Sequence, residues 1–285
     1  MIEPFATDDA FLASVEEALA VDEVRVWWLG QSGFLVRWHD RRILLDPYLS
    51  DSLTTKYRDS DKPHVRMTAR VIAPERLARI DVVTSTHNHT DHLDAETLLA
   101  LRRANSALQL IIPAANEAFV RERLGDAAGH PMLLDDGASV EMPGVKVHGI
   151  AAAHNEVERD EDGRCRFLGY MLDLGGSRIY HSGDTLRYPG MVERLRAFGR
   201  IDLALLPING NKPGRRVAGN LDGREAAQLA QDIGARLVVP CHYEMFEFNT
   251  ADPRELFVPE CERLGQKYRL LRAGEGLTLG RFPLI

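Results

Sequence analysis

The sequence predicts an α/β fold in which two β-sheets pack together with helices on the outside. Three observations carry this reading. Strand-like segments fill residues 24–45 and then alternate with helical ones from residue 81. The same order, strands first and strand–helix alternation afterwards, recurs from residue 139 onward. Two similar halves fit two sheets stacked face to face, each covered by helices. A chain of 285 residues can bury one large core, and no low-complexity segment, linker or short repeat divides it, so residues 1–285 are read as a single domain.

The elements follow in order. Phe11, Leu12, Val15, Ala18 and Leu19 recur at helical spacing and predict an amphipathic helix over residues 8–20. Residues 24–29 are apolar, partly alternating, and end at Gly30 and Gly33; 34–38 and 43–45 read as the next strands, with His39, Asp40 and Arg41 as the turn between them. Residues 50–70 are polar and lack a period, which predicts a long loop serving as a lid or an oligomer contact. A short buried strand over 82–85 is followed by a helix over 95–103 with Asp94 as its N-cap. A strand over 108–112 and a helix over 114–124 come next. Strands are predicted over 139–141, 145–150, 167–174 and 177–181. The chain then alternates: helix 191–198, strand 203–206, helix 225–233 opened by an Asp222/Glu225 capping box, strand 237–239 and helix 253–264. Trp27, Trp28 and Trp38 read as packing residues.

Composition excludes several classes. A net charge of −7 provides no broad footprint for nucleic acid, which leaves a small-molecule substrate held by local groups. The three cysteines, Cys165, Cys241 and Cys261, are widely spaced and form no CxxC, which argues against a disulfide framework and a thiolate zinc site and fits a reducing compartment. The start Met1-Ile2-Glu3-Pro4-Phe5 has no secretory pattern, and no apolar run is long enough for a membrane span, so a cytoplasmic location is expected.

The chemistry concentrates in His87-Asn88-His89-Thr90-Asp91-His92. Histidine is scarce, at 10 residues in the chain, yet three fall within this hexapeptide. In a near-extended stretch, residues two apart point the same way, so His87 and His89 can grip one ion together. A turn at Thr90 re-aims Asp91 and His92 toward a second position. Imidazole and carboxylate ligands suit Zn, Mn or Fe. Further ligands follow predicted strands: His154, Asp184 within Ser182-Gly183-Asp184-Thr185, and His242. Taken singly, His154 also reads as a surface histidine, Asp184 as a turn residue and His242 as a hydrogen-bonded core residue. Their order along the chain favours a shared metal site. Asn209, Lys212, Arg215 and Arg216 lie on a basic loop that could clamp a phosphate or carboxylate, a composition equally suited to a solvated loop. Tyr243 reads either as a donor to an oxyanion or as a packing residue.

The order HxHxDH, then His, then Asp in SGDT, then His resembles the metallo-β-lactamase superfamily. The resemblance runs from Trp27-Trp28-Leu29-Gly30 through Ile43-Leu44-Leu45-Asp46-Pro47 to His242. Tyr180-His181-Ser182-Gly183-Asp184 and Val238-Val239-Pro240, followed by Ala251-Asp252-Pro253, are most similar to the L-ascorbate-6-phosphate lactonase group. The stretch 86–94 also resembles the phospholipase-D-type phosphodiesterases of that superfamily. The resemblance implies an αββα sandwich with mixed sheets. It implies that His87, His89 and His154 hold one metal, that Asp91, His92 and His242 hold a second, and that Asp184 bridges them. It implies that Asp46 supports the ligand loop without binding metal, as ligating histidines require of their surroundings. Relatives of the lactonase group often assemble as homo-oligomers.

Metal-assisted hydrolysis follows as an expectation. Two divalent ions, Zn or Mn with Fe also compatible, sit roughly 3.5–4 Å apart and share a water whose pKa they lower. The resulting hydroxide would attack a carbonyl, most naturally of a sugar-acid lactone, while Asp91 protonates the leaving alkoxide. A phosphodiester of a small molecule or phospholipid is the alternative, and a non-catalytic binding protein on the same fold is a third reading.

Overall fold

The computed structural model describes residues 1–20, 22–217 and 219–280. Its elements, in chain order, are α1 (Asp8–Glu16), β1 (Val24–Gly30), β2 (Gly33–Trp38), β3 (Arg41–Leu45), α2 (Ser52–Lys56), β4 (Val82–Thr84), α3 (Ala95–Ala104), β5 (Gln109–Pro113), α4 (Glu117–Leu124) and β6 (Met132–Leu134). There follow β7 (Ser139–Met142), β8 (Val145–Ala151), β9 (Leu168–Leu174), β10 (Ser177–His181), α5 (Met191–Arg196), β11 (Leu203–Pro207), α6 (Gly223–Asp232), β12 (Val238–Cys241), α7 (Phe257–Leu264) and β13 (Gly276–Leu279).

The strands form two mixed sheets, ordered β13-β1-β2-β3-β4-β5-β6 and β12-β11-β10-β9-β8-β7. In each, antiparallel hairpins give way to parallel strands: β3, β4, β5 and β6 run parallel in the first, β10, β11 and β12 in the second. Alternation along β1 assigns the two faces. Val26 and Trp28 turn inward to the core between the sheets, whereas Trp27 and Leu29 turn outward beneath Phe11 of α1 and the helices beyond. The second sheet is covered by Met191 and Leu195 of α5, Ala226 and Leu229 of α6 and Phe257 of α7. The αββα sandwich expected from the sequence is the fold observed.

Local signals hold where their chemistry is explicit. The Asp94 carboxylate accepts the Thr97 N–H at 3.1 Å, and Asp222 and Glu225 form a reciprocal capping box. Boundaries move where tertiary contacts intervene. The first helix ends at Glu16, not at residue 20, because Glu17 is extended and its carbonyl accepts from Arg37 at 2.8 Å. The last helix begins at Phe257, not at residue 253, because a turn closes from Glu255 N–H to the Asp252 carbonyl at 3.1 Å. Strands β6 and β13 were not foreseen. Each is only three or four residues long and largely unburied, so it lacks the apolar run that marks the equally short β4 and β12, and each exists by pairing with a neighbour. All three cysteines are buried and free. Among the described residues no helix is long and apolar enough to cross a membrane.

Candidate metal centre

The site is built at the C-terminal ends of strands from both sheets. β3 delivers Asp46, β4 delivers the 85–92 loop, β8 leads to His154, β10 to Asp184 and β12 to His242. The ligand loop is shaped by a turn in which the N–H groups of His92 and Leu93 donate to the His89 carbonyl at 3.1 and 2.8 Å. Arg123 of α4 donates to the carbonyls of Asn88 and Leu93 at 2.9 and 3.0 Å and ties the loop to its neighbouring helix. Gly183 packs against this loop. Its φ is +59°, and a Cβ there would stand 2.7 Å from Thr86, so only glycine lets Asp184 approach the histidines.

The seven residues expected to bind metal converge. Their ligand atoms form three overlapping groups, each within 4.8 Å: His87, His89 and His154; His87, His92 and Asp184; Asp91, His92 and His242. The Asp184 carboxylate lies between them, with Oδ1 3.3 Å from His92 Nε2 and Oδ2 3.2 Å from His242 Nε2 and 3.7 Å from His154 Nε2. Asp91 Oδ2 is 3.7 Å from His92 Nε2 and 3.6 Å from His242 Nε2.

A cation fits this donor set. His87 Nε2, His92 Nε2 and Asp184 Oδ1 are buried without a hydrogen-bond partner, an expensive state unless an ion completes it. The outward nitrogens are already occupied. His154 Nδ1 lies 2.9 Å from the Gly219 carbonyl, and His92 Nδ1 lies 2.7 Å from Asp46 Oδ2, which leaves both Nε2 lone pairs aimed inward. Asp46 is fully buried and also accepts from Thr86 N–H at 3.1 Å, so it supports the loop.

Protonation divides the histidines. Burial pushes His87 and His154 below the ordinary imidazole value and His89 down to about 4. Burial opposes charge on His92 and His242 as well, but the carboxylates of Asp184 and Asp91 outweigh it and raise both, His242 to about 9. Burial would raise the Asp91 and Asp184 carboxyls, yet the charges on His92 and His242 hold both below the usual carboxylate range.

A cavity of about 580 Å³ opens over the ligands, lined by His89, Asp91, His154, Asp184 and His242 on its floor and by Tyr57, His64, Phe246 and Phe248 on one wall. That wall corrects the reading of residues 50–70. The segment contains helix α2 and is fastened to residues 245–247 by Met67 N–H to Met245 O at 2.8 Å and Glu247 N–H to Val65 O at 3.1 Å. It forms one side of the site. His64 was missed because it sits alone in an aperiodic polar stretch.

The expected substrate contacts divide. Asn209 lines the cavity. Lys212 is exposed and does not border it. Arg215 is occupied inside the protein, donating to the carbonyls of Asn209 and Thr250 and to Asn249 Oδ1 at 3.2 Å, so the phosphate-clamp role fails for it. Arg216 does reach the cavity and pairs with Asp61. Tyr243 is corrected to a packing residue: its ring stacks on Trp28 at 4.7 Å, and its hydroxyl donates to the Leu271 carbonyl at 3.2 Å, away from the ligands.

Two packed mixed sheets with a His/Asp cluster at the ends of their parallel strands define the metallo-β-lactamase class of folds. Residues 41–243 match the beta-lactamase superfamily domain, and the chain belongs to that family. A UPF0173 metal-dependent hydrolase of Rubrobacter xylanophilus is 30% identical over 267 residues, covering 89% of this chain and 96% of that protein. A metallo hydrolase from the archaeon Ignicoccus hospitalis superimposes with a TM-score of 0.66 at 24% identity, over 91% of this chain and all (100%) of that one. The metallo-beta-lactamase fold protein YhfI from Bacillus subtilis gives 0.65 at 14% identity, over 90% and 100%. The two structures share the fold.

Proposed function

We propose that this protein is a metal-dependent hydrolase that opens the carbonyl ester of a small lactone, with two divalent ions held at the cluster. His87, His89 and His154 would hold one ion, Asp91, His92 and His242 the other, and Asp184 would serve both. Bound there, such ions supply Lewis acidity and a water acidified toward neutrality. The observation that carries the proposal is the convergence of seven ligand residues from four separate segments, with buried donor atoms left unpaired among them.

The remaining chemistry falls to the chain itself. Asp46 fixes the tautomer of His92, and the Gly219 carbonyl fixes that of His154. Asp91 keeps 17% of its side chain open toward the cavity, where its carboxylate can accept a proton from the attacking water and pass it to a leaving alkoxide. Asn220, braced by its bond to Asn209 Oδ1 at 3.0 Å, offers its unpartnered Oδ1 as a neutral acceptor on one side, and the aromatic wall excludes water on the other. A cavity of about 580 Å³ suits a small molecule and not a polymer.

A second reading, cleavage of a small phosphodiester, is favoured by one observation. Lys56, Arg123 and Arg216 line the same cavity and would attract an anionic substrate. A panel of sugar lactones and aryl esters against bis-p-nitrophenyl phosphate, assayed with Zn- and Mn-loaded protein, separates the two. Turnover of lactones alone is the expected result; turnover of the phosphodiester alone would replace the first reading by the second.

A further inference from the structure

One buried side chain touches two of the three members of the Asp91, His92 and His242 group without bordering the cavity. Gln31 occupies the turn between β1 and β2 and is fully buried. Its backbone φ is +51°, a left-handed conformation that ordinary side chains avoid, and His242 is left-handed too at +60°. The Gln31 carbonyl accepts from the Trp28 indole N–H and from the His242 backbone N–H, both at 2.9 Å. Its side-chain amide nitrogen donates to Asp91 Oδ2 at 2.8 Å and lies 3.1 Å from His242 Nε2. Its Oε1 is buried with no partner.

A buried amide oxygen left unpaired is costly, so the orientation of this amide is dictated by its nitrogen end. The backbone bonds hold the residue in place, and the Asp91 carboxylate takes the N–H. The residue type matters. A cation in that place would compete with a metal ion for Asp91, and a carboxylate would compete with Asp91 for the ion. A neutral N–H donor brings no charge into the cluster and, at 2.8 Å from Oδ2, fixes the rotation of Asp91.

We propose that Gln31 is a positioning residue for the second cluster: it sets Asp91 through its side chain and His242 through its backbone, and so determines cation affinity at that cluster. The inference rests on the reading that Asp91, His92 and His242 hold an ion.

The test is calorimetric titration of the chelator-stripped full chain with Zn²⁺, with Asp91→Asn used to identify which equivalent belongs to the second cluster. Gln31→Asn keeps an amide and tolerates the left-handed backbone but is too short to reach Asp91. Gln31→Met keeps the length and removes the donor. Both leave the backbone bonds to Trp28 and His242 in place. Each variant is expected to weaken the equivalent that Asp91→Asn weakens by roughly 10–100-fold and to leave the other within about threefold. Wild-type affinity for both equivalents in both variants would overturn the proposal. Equal weakening of both equivalents would overturn it too, since Gln31 would then merely brace the turn. A wild-type protein that takes up a single equivalent would remove the underlying two-ion reading and this inference with it.

Discussion

The Asp46 carboxylate lies 2.7 Å from Nδ1 of His92, and both side chains are completely buried. A carboxylate accepts and cannot donate, so a proton resides on Nδ1, and Nε2, which faces Asp184, is the nitrogen left to an ion once its own proton is displaced. Asp46 holds that position by accepting from Thr84 Oγ1 at 3.2 Å and Thr86 N–H at 3.1 Å. Asp46→Asn keeps the shape but allows the other tautomer. Metal affinity is expected to fall roughly 10–100-fold, read by competition against a chelator. Unchanged retention would mean that Asp46 does not orient the ligand.

Asp184 is the carboxylate nearest to His92, His154 and His242 together. Asp184→Ala is expected to lower metal stoichiometry and reduce turnover by about a hundredfold or more. Elemental analysis beside kinetics checks both. A variant with full metal content and full turnover would remove Asp184 from the centre.

Proton release distinguishes the clusters. In the metal-free chain His92 is raised and His242 lies at about 9, so an ion arriving there at pH 7 must displace protons. His87 and His154 are lowered and His89 lies at about 4, so uptake there releases none. Affinity at the second cluster should therefore tighten from pH 7 toward 9, while the first stays nearly flat. Folding of the stripped protein carries the opposite sign. The raised histidines contribute stability that is full below the ordinary value of 6.5 and lost as pH rises through about 9. Calorimetry in two buffers of different ionisation enthalpy measures the release. Equal proton counts for both equivalents would contradict the assignment.

Metal removal should abolish hydrolysis, and addition of Zn²⁺ or Mn²⁺ should restore it. At a hundred times its Kd an ion adds about 2.7 kcal/mol to stability, an increase of roughly 4–5 °C in Tm. Full activity after exhaustive chelation would end the metal-dependent reading.

Arg215 and Arg216 should behave differently. Arg215 ties the 209–216 loop to Asn249 and Thr250, so Arg215→Ala should cost about 1–2 kcal/mol of stability and shift KM equally for phosphorylated and unphosphorylated lactones. Arg216 borders the cavity, and Arg216→Ala should raise KM for the phosphorylated substrate alone. A phosphate-selective effect at Arg215 would reverse the two roles.

Most of the order of strands and helices, the two caps at Asp94 and Asp222 and the seven His and Asp residues that converge were legible in the sequence. Each is written locally. Periodicity reports which face is buried, a cap needs only neighbours three residues away, and histidines crowded into one hexapeptide have few structural uses. Tertiary structure alone decided the rest. Nothing near Gln31 announces Asp91, 60 positions away, and nothing near His64 announces the cavity. Arg215 and Tyr243 have the chemistry of substrate contacts, but their hydrogen bonds are consumed by Asn249, Thr250 and Leu271, partners that folding supplies from distant segments. The type of a side chain is fixed by the sequence; whether its donors remain free for a ligand depends on which distant atoms satisfy them first.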